Sequence, residues 1–481
     1  MTLADLHSDE ALRAREFPVA RDRVYLAHAG VSPLPARVTE AIASIAAAGG
    51  VDDQEKGLAD LLAKTRQRAC QLLAADTGTI ALLGPTTAGL ATVANGLDWR
   101  AGDNVIFYSE DYPSNVYPWM ALASSGVELR PLHAPALGQI TPESVLEMVD
   151  SRTRLVALAS CHFISGWRLD VESLGRALRQ RGVLFCLDAI QTLGAFPMSI
   201  AHVDFLAADS HKWLLGPCAS GVFYVRRELQ EKLRPTVLGW NNVRCPDYVA
   251  QPDISLRHDA RRYEPASYNI LGIAGLNAAL ELILEIGVEN IAQKLLCQRA
   301  WLVTALQAKG YTVLHATAPA VNASGIVSFH KPGGDMRALH AKLEEANVVA
   351  SLRTDRAGQR YLRFSPHFYN TDAEFARALE LILEIGIADI AAQLLRHREW
   401  LIAALQEKGY TVLQADAPLV NASGIVSFHK PGSDMQALHA KLEGANVVAS
   451  LRTDRAGQRY LRFSPHFYNT DAEFARALEL I

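Results

Sequence analysis

The chain has 481 residues, of which 49% are apolar and 20% charged, with a formal net charge of −4. This is the composition of a globular protein of about two to four domains. With no Lys/Arg run or basic stripe, nucleic acid and an anionic membrane surface are poorly supported as partners.

Residues 1–20 form an N-terminal segment that carries Asp5, Asp9, Glu10 and Glu16 and no apolar signal-type core. No apolar run approaches the length of a membrane span, so a cytoplasmic location is expected. The six cysteines, Cys70, Cys161, Cys186, Cys218, Cys245 and Cys297, are scattered without a C-x-x-C pair and read as reduced thiols.

Across residues 21–278, helical spacing at Leu58–Ala74, Thr87–Leu97 and Leu169–Arg181 alternates with short apolar runs. The runs Asn104–Tyr108, Leu155–Ala159, Val183–Leu187 and Gly221–Val225 lack period-2 alternation. Such strands, separated by helices, predict an α/β fold with a mostly parallel sheet covered on both faces. Ligands of these sheets sit at the C-terminal strand ends.

From Ala279 the chain repeats itself. Ala279-Leu280-Glu281-Leu282 recurs from Ala378, and Tyr311-Thr312-Val313-Leu314 recurs from Tyr410, with most positions between them identical. Two copies of a small α/β domain are expected, residues 279–377 and 378–481, as a tandem duplicate and not a solenoid. In the first copy the pattern predicts a helix over Ile291–Lys309 with Gly310 as its C-cap. Strands at Tyr311–Leu314 and Gly325–Phe329, a helix over Met336–Ala346, a strand at Tyr361–Ser365 and a closing helix over Asp372–Leu383 follow. The copies are expected to join through helix.

Three stretches carry chemistry. Leu82-Leu83-Gly84-Pro85-Thr86-Thr87-Ala88 reads as strand, turn and helix start, where backbone N–H groups and two hydroxyls suit a phosphate, though no Walker-type lysine follows. Leu184-Phe185-Cys186-Leu187-Asp188 is a buried-type strand that ends in a carboxylate, with Gln191 just beyond. Asp209-Ser210-His211-Lys212 then places a lysine between a strand and the Gly216-Pro217 turn. No His/Cys cluster has metal-ligand spacing, and no G-x-S-x-G elbow appears.

In order and spacing these stretches resemble the class V aminotransferase fold of enzymes dependent on pyridoxal 5′-phosphate (PLP), fold type I, the group of cysteine desulfurases, selenocysteine lyases and isopenicillin-N-epimerase-like proteins. The resemblance covers about residues 20–377 and implies the following roles. Lys212 would be the catalytic Schiff-base lysine, with Ser210 and His211 as cofactor contacts. Asp188 would hold the pyridine nitrogen protonated, and Gln191 would contact the ring's phenolic oxygen. Thr86, Thr87 and the Ala88 backbone would bind the phosphate, and Tyr112 would stack on the ring. Ser267, in Tyr263-Glu264-Pro265-Ala266-Ser267, would reach the cofactor of a neighbouring subunit, which implies a homodimer. Arg363, in Leu362-Arg363-Phe364-Ser365-Pro366-His367, would pair with the α-carboxylate of a small amino-acid substrate, which the Gly30 backbone would approach.

The chain departs from the desulfurases in three places. Ser351–Tyr361 holds no cysteine in either copy, which argues against persulfide chemistry. Asp209 stands where a phosphate-binding serine is usual, and Phe163 stands where an asparagine is usual; His162 beside it reads equally as a core histidine. Lyase-type elimination, including C–S cleavage, is favoured over epimerisation or transamination, and a non-catalytic binding protein of the same fold is the rival from another class. The second small domain is expected to be an appended module, the alternative being that Arg462 replaces Arg363.

Overall fold

Apolar runs too short for helices, set between amphipathic stretches, can bury both faces only inside a layered sheet. The computed structural model, which describes residues 1–382, 387–466 and 469–481, builds seven such strands: β1 (Ile80–Leu82), β2 (Asn104–Tyr108), β3 (Glu128–Leu132), β4 (Thr153–Ala159), β5 (Leu184–Asp188), β6 (Phe205–Asp209) and β7 (Gly221–Val225). They lie in the order β1-β7-β6-β5-β4-β2-β3. The pairs β6–β5, β5–β4, β4–β2 and β2–β3 are parallel, while β7 runs antiparallel to both neighbours. The sheet is therefore mixed at one side, as a strand that returns directly after β6 must be. All C-terminal ends of the parallel strands open on one edge.

Helices α2 (Leu58–Leu73), α3 (Thr86–Gly96), α4 (Val171–Gln180) and α5 (Ile270–Ile286) flank this sheet, and α1 (Ala36–Gly49) packs on α5 through Val38, Ala278 and Ala279. One face is packed by Leu174, Leu178, Leu276 and Leu280 against Val156, Phe185 and Leu206; the other by Leu90, Val93, Trp119 and Tyr263 against Val105, Phe205 and Phe223. Each fully buried Leu, Ile or Phe contributes about 1.5–3 kcal/mol of transfer free energy.

A second sheet follows α6 (Val288–Ala308): β8 (Thr312–Val313), β9 (Val327–His330), β10 (Ser351–Thr354) and β11 (Arg360–Phe364), antiparallel in the order β10-β11-β9-β8. Helices α7 (Met336–Glu345) and α8 (Asp372–Leu381) cover it. Gly310 closes the turn after α6 with φ +78°, the left-handed conformation expected of its C-cap position. The cysteine-free stretch from Ser351 opens as a strand, Ser351–Thr354. No single helix among the described residues is long and apolar enough to cross a membrane.

The chain divides into two units, residues 1–382 and 383–481. Residues 1–20, read only as a segment, form the helices Leu3–Ser8 and Glu10–Glu16 of the first unit, where Arg13 pairs with Glu374 at 3.0 Å and Phe17 stacks on Tyr369 at 4.0 Å. The second unit repeats the small-sheet pattern with its own core of Leu401, Leu405, Val426, Phe428 and Leu461, and its strands Thr411–Val412, Val426–His429, Ser450–Thr453 and Arg459–Phe463 take the same order. The expected helical join between the copies falls on residues 383–386, outside the described residues.

Because each unit has its own core, a chain ending at Ile382 should unfold in one cooperative transition and keep the helix signal of an α/β protein, measured by circular dichroism with heating. A truncated chain without that transition would show that residues 383–481 are needed for folding.

Candidate active site

The turn after β6 is built around a buried carboxylate. Asp209 accepts the N–H groups of Ser210 (3.0 Å), Ala219 (3.0 Å) and Ser220 (2.8 Å) and Nδ1–H of His211 (2.7 Å). Four donors satisfy the anion, so it faces the turn toward β7. Ser32 adds a second clamp: its N–H donates to the His211 carbonyl (2.7 Å) and its hydroxyl to the Lys212 carbonyl (2.6 Å). Gly84 allows the β1–α3 turn to lie against this one, since a Cβ there would stand 2.5 Å from the carbonyl carbon of Ala219.

With its backbone held, Lys212 sends its side chain into a cavity of about 480 Å³ at the C-terminal edge of the large sheet. Its Nζ stands 5.2 Å from the centroid of the Tyr112 ring. Burial disfavours the ammonium and lowers its pKa to about 8, against the pull of the Asp188 carboxylate. Asp188 ends β5 and accepts the Ile190 N–H at 3.0 Å; burial raises its pKa to about 6, while that hydrogen bond and Lys212 oppose the shift. Thr86 and Thr87 open α3, whose N-terminus has no side-chain cap. The Thr87 hydroxyl meets Ser114 at 2.8 Å, and Thr86 accepts the Asp209 N–H at 2.9 Å.

The same cavity is lined by Arg363, 1% exposed on β11. One guanidinium nitrogen donates to the Phe163 carbonyl and another to Ser351 Oγ at 3.2 Å, while Nε has no partner. Burial, then the neighbouring Arg353, lowers its pKa to about 9. Gly30 lies against this pair: a Cβ there would come within 3.6 Å of an Arg363 terminal nitrogen and 3.1 Å of the Ala27 carbonyl.

The structure thus brings Lys212, His211, Asp188, Tyr112, Thr86, Thr87, Gly30 and Arg363 to one cavity wall. Four other expected site residues do not line it. Ala88 donates its N–H to the Pro85 carbonyl (2.8 Å), which removes that donor from the loop. Gln191 spends its amide on the Ala29 carbonyl (3.1 Å) and on Trp213 Nε1 (2.9 Å), which holds the backbone beside Gly30. The Ser210 hydroxyl turns to the Pro217 carbonyl at 2.7 Å. Ser267 lines a separate cavity with Glu264 and Asn269. His162 is a satisfied core residue, with Nδ1 at 3.0 Å from Ser165 Oγ and Nε2 at 3.1 Å from the Glu110 carbonyl, and burial lowers its pKa to about 4.

Sequence reasoning missed Ser114, Tyr25 and Arg353 on the wall. No signal in the sequence marks Arg353: only the pairing of Ser351–Thr354 with β11 sets it on one face with Arg363. Among the described residues no cysteine lines the cavity; Cys70, Cys161 and Cys186 are buried elsewhere, and Cys218 and Cys297 are exposed.

A phosphorylated pyridine aldehyde fits what is present: an amine held over an aromatic face, a buried carboxylate beside it, and an uncapped helix N-terminus with two threonines for a dianion. Comparison with known proteins agrees. The family model "Aminotransferase class-V" matches residues 24–377. A probable cysteine desulfurase of Methanothermobacter thermautotrophicus is 27% identical over 403 residues, 77% of this chain and 97% of the relative. The solved cystine C–S lyase C-DES, in complex with its reaction product cysteine persulfide, is 26% identical with a TM-score of 0.69 and spans 77% of this chain and all (100%) of its own. A lysine-to-alanine variant of C-DES with glycine covalently linked to its PLP cofactor is 25% identical with a TM-score of 0.71, covering 78% of this chain and 99% of that one.

Uptake of PLP by the apoprotein requires the neutral amine of Lys212. Because burial lowers that ammonium to about 8, the rate at which a visible absorption band appears should rise with pH and level off above about 8, well below the 10.5 of an ordinary lysine. Lys212→Ala should give no band, and a rate still climbing at pH 10 would contradict the buried placement.

Proposed function

We propose a reaction for this chain, which belongs to the class V aminotransferase family and takes pyridoxal phosphate as its cofactor: elimination of a leaving group from the side chain of a small amino acid, C–S bonds included. The observation that carries the reading is the cavity that joins an amine of lowered basicity, Lys212, to a buried and carboxylate-free guanidinium, Arg363. The similarity to a protein described as a cystine C–S lyase supports elimination over other outcomes, and a wall with no cysteine among the described residues argues against a persulfide route.

The roles follow from position. Arg363 receives the α-carboxylate as a two-pronged, charge-assisted pair, which fixes the orientation of Cα. Lys212 takes the Cα proton, and an amine with a pKa near neutrality can both accept and return it. Asp188 would pair with the pyridine nitrogen of the cofactor, Tyr112 would cover its ring, and Thr86, Thr87 and Ser114 would hold its phosphate at the N-terminus of α3. The bound cofactor supplies the sink for the electron pair left at Cα. Gln191 supports the Gly30 backbone from behind the wall, and Asp209 holds His211 and the lysine turn. Ser267, away from this cavity, serves the site of a neighbouring subunit in a homodimer. Arg363 serves this site in preference to its counterpart Arg462, a reading supported by lining residues that, among those described, all belong to the first unit.

With a panel of amino acids bearing a leaving group on the side chain, the holoenzyme should release ammonia and a 2-keto acid in equal amounts. Racemised amino acid alone, or amino transfer that depends on added keto acid, would replace the elimination reading. Arg363→Gln should lower kcat/KM about a hundredfold or more, the loss expected when a charge-assisted bidentate contact is removed. Arg462→Gln should match the wild type, and the opposite pattern would assign the site to the second copy.

A further inference from the structure

The cavity holds two guanidinium groups where one would meet the α-carboxylate of an amino acid. Besides Lys212, both Arg353 and Arg363 line it, and Asp188 is the one carboxylate on its wall among the described residues. The two arginines come from one hairpin. In the β10–β11 register Ser351 faces Arg363 and Arg353 faces Tyr361, so the two guanidinium groups leave the same sheet face as diagonal neighbours.

They converge on one point. A Cβ built on Gly30 would lie 3.5 Å from a terminal nitrogen of Arg353 and 3.6 Å from one of Arg363. Each Nε is buried without a hydrogen-bond partner, and no carboxylate acts on either group among the described residues. Like charges this close in a half-desolvated site repel, and Arg353 lowers the basicity of Arg363. A structural arginine as buried as Arg363 is ordinarily paired, and half-buried Arg353 beside it has no carboxylate partner among the described residues either. A pair left without anions among the described residues, lining the same cavity as Lys212, is arranged for anions that arrive with the ligand.

We infer that the substrate carries a second negative charge: an amino acid whose side chain ends in an acid group, with Arg363 on the α-carboxylate and Arg353 on the side-chain anion. This rests on the amino-acid reading above and narrows it to acidic side chains. Arg353 lies nearer the mouth, half-buried beside Tyr112, whereas Arg363 is fully enclosed. The inner cation thus holds the constant part of the substrate and the outer one the variable part.

Titration of the holoenzyme with the isosteric pairs aspartate/asparagine and glutamate/glutamine, followed by the visible absorption of the bound cofactor, tests this without requiring turnover. For the wild type, the acid of at least one pair should bind tenfold or more tighter than its amide, as the gain of a charge-assisted contact predicts. Arg353→Gln should abolish that preference, weakening the acid at least tenfold more than the amide, and Arg353→Lys should restore part of it. Equal binding of acid and amide by the wild type overturns the inference. So does equal weakening of both by Arg353→Gln, which would mean that the two arginines share one α-carboxylate. Elimination is read separately: acids that bind tightly but release no keto acid leave the charge preference standing and remove the reaction. Spectra unmoved by any amino acid remove both.

Discussion

The site depends on keeping an amine and two guanidinium groups out of water. Desolvation disfavours every one of these cations, and it is the largest influence on Lys212, Arg353 and Arg363 alike. The effect on each is different because the groups differ. An ammonium starts near 10.5, so burial brings Lys212 to about 8, where the neutral amine is populated. A guanidinium starts near 12.5, and Arg363 at about 9 stays charged at neutral pH. One buried environment thus yields a nucleophile and an anion receptor.

That arrangement needs rigid support. Lys212 occupies a turn, and turns ordinarily move. Here the four donors on Asp209 and the two hydrogen bonds from Ser32 fasten its backbone. Asp209 was a puzzle as a sequence feature, a carboxylate near a presumed phosphate. In the fold it is consumed by the turn, and the phosphate end of the cavity is left to Thr86, Thr87 and Ser114. Gln191 shows the same substitution of roles: its amide ties the Ala29 carbonyl to Trp213 and so positions Gly30 from outside the cavity.

The small sheet contributes through register. Ser351, Arg353 and Arg363 reach the cavity only because β10 pairs with β11 such that these residues share a face. A slip of one residue would send both arginines to the opposite face. Val24–Tyr25 pairs in parallel with Val348–Val349, just before β10, as a separate two-stranded sheet, which brings Gly30 close to the arginines.

Much of this was written in the chain itself. Apolar runs without alternation require a sheet buried on both faces, so β2, β4, β5 and β7 were legible to within a residue or two, as were α2, α3 and α4. Asp188, Lys212 and Thr86 were legible because a carboxylate, an amine and a helix start at strand ends must face the edge where such sheets bind ligands. The internal repeat was legible as plain identity. Hydrogen-bond competition was not. Whether Ala88, Gln191 and Ser210 face the cavity depends on Pro85, Trp213 and Pro217, partners that only folding brings within 3 Å or so. Nor was the pairing of Arg353 with Arg363, since cross-strand neighbours are set by register and the turn between β10 and β11 carries no two-residue signal that would fix it. Local pattern determined the elements and the chemical groups at their ends; long-range packing decided which of those groups share a cavity.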